Sequence, residues 1–194
     1  MIGALAGLLV IAAALAVIAA NAPAASTVQV ASCVRADGGT CIVFPTVTGA
    51  NLNRVAFMLP ADFAGDYNLV VVSFDEGQTA RAADWLPLAQ ALAAQRPDFA
   101  YYSVAVMKAV SPLMRGVIVG GMVVMIPDDG LRERTIMLFL DDKQAFLDAL
   151  AIPDLDAVQA LLLDAQGQVL WRTSGDFTPE QGDSLRAELS RLPQ

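Results

Sequence analysis

From about residue 68 onward, short apolar runs of strand length alternate with segments that have helical periodicity. Leu69–Phe74 is such a run, as expected of a strand buried on both faces of a mostly parallel sheet, and it is interpreted as the central strand. Further strands are predicted at Tyr101–Met107, Thr135–Leu140, Val158–Leu163 and Gln168–Arg172. Because right-handed crossovers place helices on both faces of such a sheet, the chain is predicted to form an α/β domain.

Local start signals mark the predicted helices. One helix is predicted from Thr79 to about Gln95 and another from Lys143 to Leu150. Two more are predicted to begin at Ser111-Pro112 and at Thr178-Pro179, where Gln181 completes a capping box. Two segments are predicted to be irregular, Ile42–Arg54 and the polar break Asp128–Gly130. The last two strands are joined by four residues, which predicts an antiparallel hairpin before the final helix.

The first 25 residues carry no charge, and residues 2–20 are nearly all Ala, Leu, Ile, Val and Gly. This segment is interpreted as a signal peptide or an N-terminal membrane anchor, and Ala22-Pro23-Ala24 favours cleavage after Ala24. The predicted organisation is therefore residues 1–24 for export or anchoring, 25–42 as a linker and cysteine loop, and 43–194 as the folded domain. The net charge of −8 argues against nucleic acid and anionic lipid as partners, so membrane contact is expected only through the N-terminal segment.

The chain has no histidine and only two cysteines, Cys33 and Cys41. This composition excludes imidazole bases and histidine-ligated metals, so neither a metal site nor a cofactor is predicted. The turn residues Asp37-Gly38-Gly39 between the cysteines, together with predicted export, indicate a structural disulfide. A reactive cysteine pair is the alternative, which the absence of Cys-x-x-Cys spacing disfavours.

Two further features are candidate sites. Asp75 and Glu76 follow the first long strand, where open α/β sheets bind ligands, although a solvated acidic loop beside a helix start is the favoured interpretation. The segment Leu113–Ile126 is apolar apart from Arg115 and is rich in methionine. It is interpreted either as a helix packed on the sheet or as a surface for a protein partner. The methionines of that candidate interaction surface are Met114, Met122 and Met125.

The residues at Leu69–Phe74, Thr135–Asp141 and Leu161–Arg172 with Gly175 resemble the thioredoxin-like superfamily in its peroxiredoxin-type elaboration. Together with Gly120–Met122, Ile126–Asp128 and Arg132–Ile136, they are similar to the mitochondrial ATP synthase assembly-factor family and its bacterial relatives. The resemblance covers about residues 43–192. It implies a three-layer α/β/α sandwich with a central mixed sheet and a C-terminal β-hairpin plus helix.

Redox-active relatives carry cysteine in the loop after the first long strand, but here that loop reads Asp75–Arg81 without a thiol. Asp156–Val158 stands where such enzymes have a cis-proline. The resemblance therefore implies the fold without redox cysteines or enzyme activity. The first hypothesis is a non-catalytic exported module, periplasmic or membrane-anchored, that binds a protein partner or assists assembly. The alternatives are a divergent thiol-disulfide oxidoreductase or peroxiredoxin-like enzyme using Cys33 and Cys41, and a small-ligand binder at Asp75.

Overall fold

The computed structural model describes residues 26–34, 38–153 and 155–193. The strands in these residues are β1 (Cys33–Val34), β2 (Thr40–Cys41), β3 (Val47–Asn51), β4 (Ala56–Leu59), β5 (Tyr67–Ser73), β6 (Phe99–Lys108), β7 (Thr135–Leu140), β8 (Gln159–Asp164) and β9 (Val169–Ser174). The helices are α1 (Glu76–Ala82), α2 (Leu86–Gln95), α3 (Pro112–Met125), α4 (Asp129–Arg134), α5 (Lys143–Ala149) and α6 (Pro179–Leu189), with a 3₁₀ turn at Ala83–Trp85 between α1 and α2.

Seven strands form one mixed sheet in the order β4-β3-β7-β6-β5-β8-β9. Strands β5, β6 and β7 are parallel, and β3, β4, β8 and β9 add to the two sides in antiparallel pairs. The α/β prediction with a mixed sheet and a C-terminal hairpin is thus confirmed. The middle strand is β6, so the prediction that Leu69–Phe74 is central was wrong by one strand.

Helices cover both faces of the sheet, and alternate residues of β5 supply both interfaces. Val70 and Val72 belong to the larger core cluster, which includes Phe146 of α5. Leu69 and Val71 point the other way, into a cluster that buries Trp85 and apolar residues of α2 and α6. Helix α3 packs on that second side, over the outer part of β6 and over β7. The continuous apolar run in the sequence follows from this two-sided burial.

The segment Ile42–Arg54 is not irregular, because it contains β3 and leads into β4. Gly49 of β3 lies against β7, where an added Cβ would stand 2.5 Å from a side-chain carbon of Leu138 and 2.8 Å from the backbone oxygen of Met137. Glycine is required there by the close approach of two strands rather than by a turn. The turn-type residues Thr48 and Gly49 therefore misled the sequence prediction.

Two predicted helix boundaries also need correction. The first helix begins at Glu76, since Asp75 Oδ1 accepts a hydrogen bond of 2.8 Å from the Gln78 amide. Thr79 lies inside that helix. The predicted polar break is the start of α4, which Asp128 caps through the Leu131 amide at 2.8 Å. Acidic side chains thus act as N-caps at both places.

The chain ahead of β1 is attached to the sheet. The backbone amide of Ser26 donates to the Phe139 oxygen of β7 at 3.2 Å, and Gln29 and Thr46 exchange backbone hydrogen bonds. The predicted export or anchor segment, residues 1–24, lies outside the described residues. Within the described ranges, none of the helices has the length and apolar character needed to cross a bilayer.

Candidate functional site

The loop that follows β5 lies at the carboxyl end of the parallel strands, and its side chains are engaged in local structure. Gln78 is buried, and its Oε1 accepts a hydrogen bond of 2.9 Å from the Phe74 amide while its Nε2 donates to the Leu155 oxygen. Asp75 caps α1, and Glu76 is exposed in the first turn. Of the two acidic residues predicted as a loop site, Asp75 therefore serves as a helix cap and Glu76 is exposed to solvent. No cluster of three metal-ligating side chains occurs in the described part of the chain.

Lys143 faces this loop from the start of α5. Its Nζ donates to the Phe74 oxygen at 3.3 Å and lies 5.1 Å from the centre of the Phe74 ring. Burial lowers the pKa of Lys143, and the nearby Asp75 carboxylate partly opposes that shift. Sequence analysis did not connect these two residues. Their proximity could have been predicted because Asp75 follows β5 and Lys143 follows β7. The carboxyl ends of these parallel strands lie at the same edge of the sheet.

Apart from Arg115, the adjacent helix α3 is apolar around its circumference, but it is buried on one side only. Its N-terminus follows the prediction, with Ser111 as N-cap and Pro112 in the first turn. Leu113 and Val124 are each 82% exposed, and Val117, Met114 and Met125 are also exposed. An apolar helix is normally covered on all sides by protein or lipid. Helix α3 therefore presents an unpartnered apolar surface next to the loop after β5.

The three methionines predicted as an interaction surface do not lie together on it. Met114 and Met125 are exposed, whereas Met122 is only 8% exposed and packs on Met137 and Phe139 in a small core cluster. This helix turns its residues by about 100° each, which brings residues 114 and 125 to one side and residue 122 toward the sheet. We call Met114 and Met125 the methionine flank.

Grooves run along both sides of α3. The first, of about 260 Å³, separates α3 from the loop after β5 and is lined by Phe74, Glu76 and Met125 among others. The second, of about 430 Å³, lies between α3 and β3 and includes Ser26 and Arg115 in its lining. The small core cluster under α3 fills only part of the space between this helix and the sheet. A groove therefore remains open on each side of α3.

Cys33 and Cys41 form a disulfide across the paired strands β1 and β2, with their Cα atoms 5.2 Å apart. Cys33 Sγ lies 3.7 Å from Gln168 Oε1 in the β8–β9 turn. Since β8 runs antiparallel to β5, with Asp164 opposite Tyr67, that turn lies at the amino end of β5. The bridge is therefore separated from the loop after β5 by the length of that strand, about 20 Å.

No protein-family model and no curated protein matches the chain. Among solved structures, it is similar to the thioredoxin domain of a thiol-disulfide oxidoreductase from Bacteroides vulgatus. That pair has 19% sequence identity and a TM-score of 0.52, over 77% of this chain and 96% of the other. A thiol:disulfide interchange protein from Bacteroides sp. gives 19% identity and a TM-score of 0.50, over 79% and 90%. The fold is thioredoxin-like.

Within this thioredoxin-like fold, the loop after β5 has no cysteine, as the sequence predicted. The expectation that the chain lacks redox cysteines is not supported, because Cys33 and Cys41 form a disulfide. The cis peptide found among the described residues is Leu59–Pro60, not a bond near Asp156–Val158. The narrower resemblance to ATP synthase assembly factors stays a prediction, since none of these comparisons supports it.

Proposed function

We propose that this thioredoxin-like protein is a non-catalytic, exported module that binds a protein partner through the methionine flank of α3. The observation that carries the proposal is the exposed apolar surface of α3. Large exposed apolar surfaces on a folded domain mark interaction sites, and flexible methionine side chains adapt to a partner's shape. The adjoining groove lets a partner contact both α3 and the loop after β5.

The location of the protein outside the cytoplasm is part of the proposal. A disulfide between Cys33 and Cys41 supports an oxidising compartment outside the cytoplasm. The uncharged residues 2–20 support export through, or retention in, a membrane. The resemblance to ATP synthase assembly factors supports a membrane complex as the source of the partner.

The test is in-cell cross-linking of the tagged full-length chain, comparing M114Q/M125Q with a matched control, M58Q. Met58 on β4 is 52% exposed, close to the 50% of Met114 and the 57% of Met125, so the control changes a similar exposed methionine elsewhere. The methionine-flank variant is expected to weaken capture of a defined partner on the order of tenfold or more. M58Q is expected to retain it. Equal capture by both variants would show that the methionine flank is not the docking surface.

A second candidate function is thiol-disulfide exchange at Cys33 and Cys41. It is favoured by the exposure of the bridge, since both cysteines are only half-buried on a two-stranded hairpin. The reduction potential discriminates between the candidates. A structural bridge is expected below about −300 mV, and a cycling one well above that value. If the full-length protein had the higher reduction potential and reduced disulfides, thiol-disulfide exchange would replace our first proposal.

A further inference from the structure

The outward side of α3 also carries an aliphatic surface, made of residues other than the methionine flank. Leu113, Val117 and Val124 lie within about 40° of one another around the helix axis, given 100° per residue. All three are largely exposed. We call them the aliphatic ridge. It lies between the two grooves that flank α3, and no charged residue interrupts it.

Ser26, the first residue that the structure describes, lies beside this ridge. Ser26 lines the groove between α3 and β3, together with Gly116 and Gly120 of α3. Five residues, 21–25, lie between Ser26 and residue 20, the end of the apolar run, so these two residues are at most about 20 Å apart. Wherever residues 2–20 enter a bilayer, the bilayer surface is therefore within reach of α3. A contact between α3 and lipid becomes effectively intramolecular.

The dimensions and charges of α3 suit a position on a membrane rather than across it. Its 14 residues form a helix about 21 Å long, too short to span the hydrocarbon core. Arg54 is exposed and lines the groove on the Ser26 side, where its guanidinium group suits a lipid phosphate. The overall charge of −8 favours a zwitterionic surface over an anionic one.

We propose that the aliphatic ridge of α3 lies in the interface of the bilayer that holds residues 2–20, leaving the methionine flank to face the protein partner. The proposal rests on the proposed function, because it assumes an anchored chain. It departs from the sequence-based expectation that only the N-terminal segment touches the membrane. The bilayer then orients the domain, and the partner is met at the membrane surface.

The test uses the full-length chain in phosphatidylcholine nanodiscs, with an environment-sensitive fluorophore attached at V124C while the native disulfide stays oxidised. The matched control is Q144C, an exposed position on α5, which packs on the opposite face of the sheet. The probe at 124 is expected to shift to the blue and to lose most of its intensity when nitroxide lipids are added. The probe at 144 is expected to keep the emission wavelength that it has in water and to be unaffected by nitroxide lipids.

Two outcomes would overturn the proposal. Equal solvent exposure of the two probes would show that the ridge does not touch lipid. A blue shift at 124 without quenching by nitroxide lipids would show that protein covers the ridge, either residues 2–20 of the same chain or a second copy. Neither outcome bears on the methionine flank. Failure of this proposal is therefore separate from failure of partner capture by M114Q/M125Q.

Discussion

At the scale of single residues, Arg96 and Asp98 form a largely buried ion pair with two hydrogen bonds. Arg96 donates from Nε to Asp98 Oδ1 at 3.0 Å and from Nη2 to Oδ2 at 2.5 Å. Its remaining donors reach the backbone oxygens of Leu189 and Pro193, so the pair joins the start of β6 to the end of α6. The guanidinium holds the pKa of the Asp98 carboxyl below its ordinary value of 3.8.

The lowered pKa predicts how this pair affects stability. Asp98 stabilises the fold above its ordinary pKa, and this contribution is lost as pH falls through the lowered folded value. D98N is expected to reduce the free energy of unfolding by about 2 kcal/mol at pH 7, and by progressively less below pH 4. Urea denaturation at several pH values measures this difference.

The control for D98N is D183N, which removes the Asp183–Arg186 ion pair on the exposed surface of α6. Exposed pairs of this kind contribute little, so D183N is expected to leave stability nearly unchanged at every pH. If the two variants behaved alike, the stabilising role of the Arg96–Asp98 pair would be refuted.

At the scale of elements, α3 is held differently from the other long helices. Its three glycines, Gly116, Gly120 and Gly121, would each meet nothing within 4 Å if a Cβ were added. Glycine in a helix interior costs free energy relative to alanine, because the unfolded chain loses more conformational freedom. Helix α3 therefore lacks both tight packing and intrinsic helical stability.

Replacing a glycine in α3 by alanine is thus expected to stabilise the protein. G120A should raise the free energy of unfolding by about 0.5–1 kcal/mol and slow amide exchange within α3. G49A is the contrasting variant, since its Cβ would collide with β7, and it should be strongly destabilising. Thermal unfolding with hydrogen exchange measures both. A loss of stability in G120A would mean that Gly120 packs closely against a neighbouring element, contrary to the open space found around it.

Elements with local signals could be predicted from the sequence. Strand β7 matches the predicted Thr135–Leu140, and the capping box at Thr178 is present as predicted, because both depend on neighbouring residues. Sequence could not separate buried Met122 from exposed Met114, since an apolar helix has no polar side to reveal its orientation. Strand β3 and the approach of Lys143 to Phe74 depend on contacts between distant segments, which a local pattern does not encode.

At the scale of the whole molecule, the disulfide and the apolar surface of α3 belong to separate parts of the structure. The Cys33–Cys41 bridge lies by the β8–β9 turn, whereas α3 lies beside the loop at the other end of β5. Stability supplied by the bridge and binding by α3 should therefore be separable.

C33S/C41S tests this separation. Opening a nine-residue loop is expected to lower the free energy of unfolding by about 2.6 kcal/mol in the chain-entropy model. Partner capture through the methionine flank is expected to persist under conditions where the variant remains folded. Chemical denaturation and cross-linking of the same variant measure the two effects. Loss of function in a folded C33S/C41S protein would favour thiol exchange instead.

The order of strands in the sheet also governs when the domain can form during synthesis. Strand β3 pairs with β7 and not with β5, and Ser26 bonds to Phe139 across more than half of the chain. Contacts between such distant segments close late, because the intervening chain must be present first. The hairpin of β3 and β4 therefore cannot join the larger sheet until β7 has been made. In a nascent chain, β3 and β4 thus stay apart from the parallel strands while the first 134 residues are made.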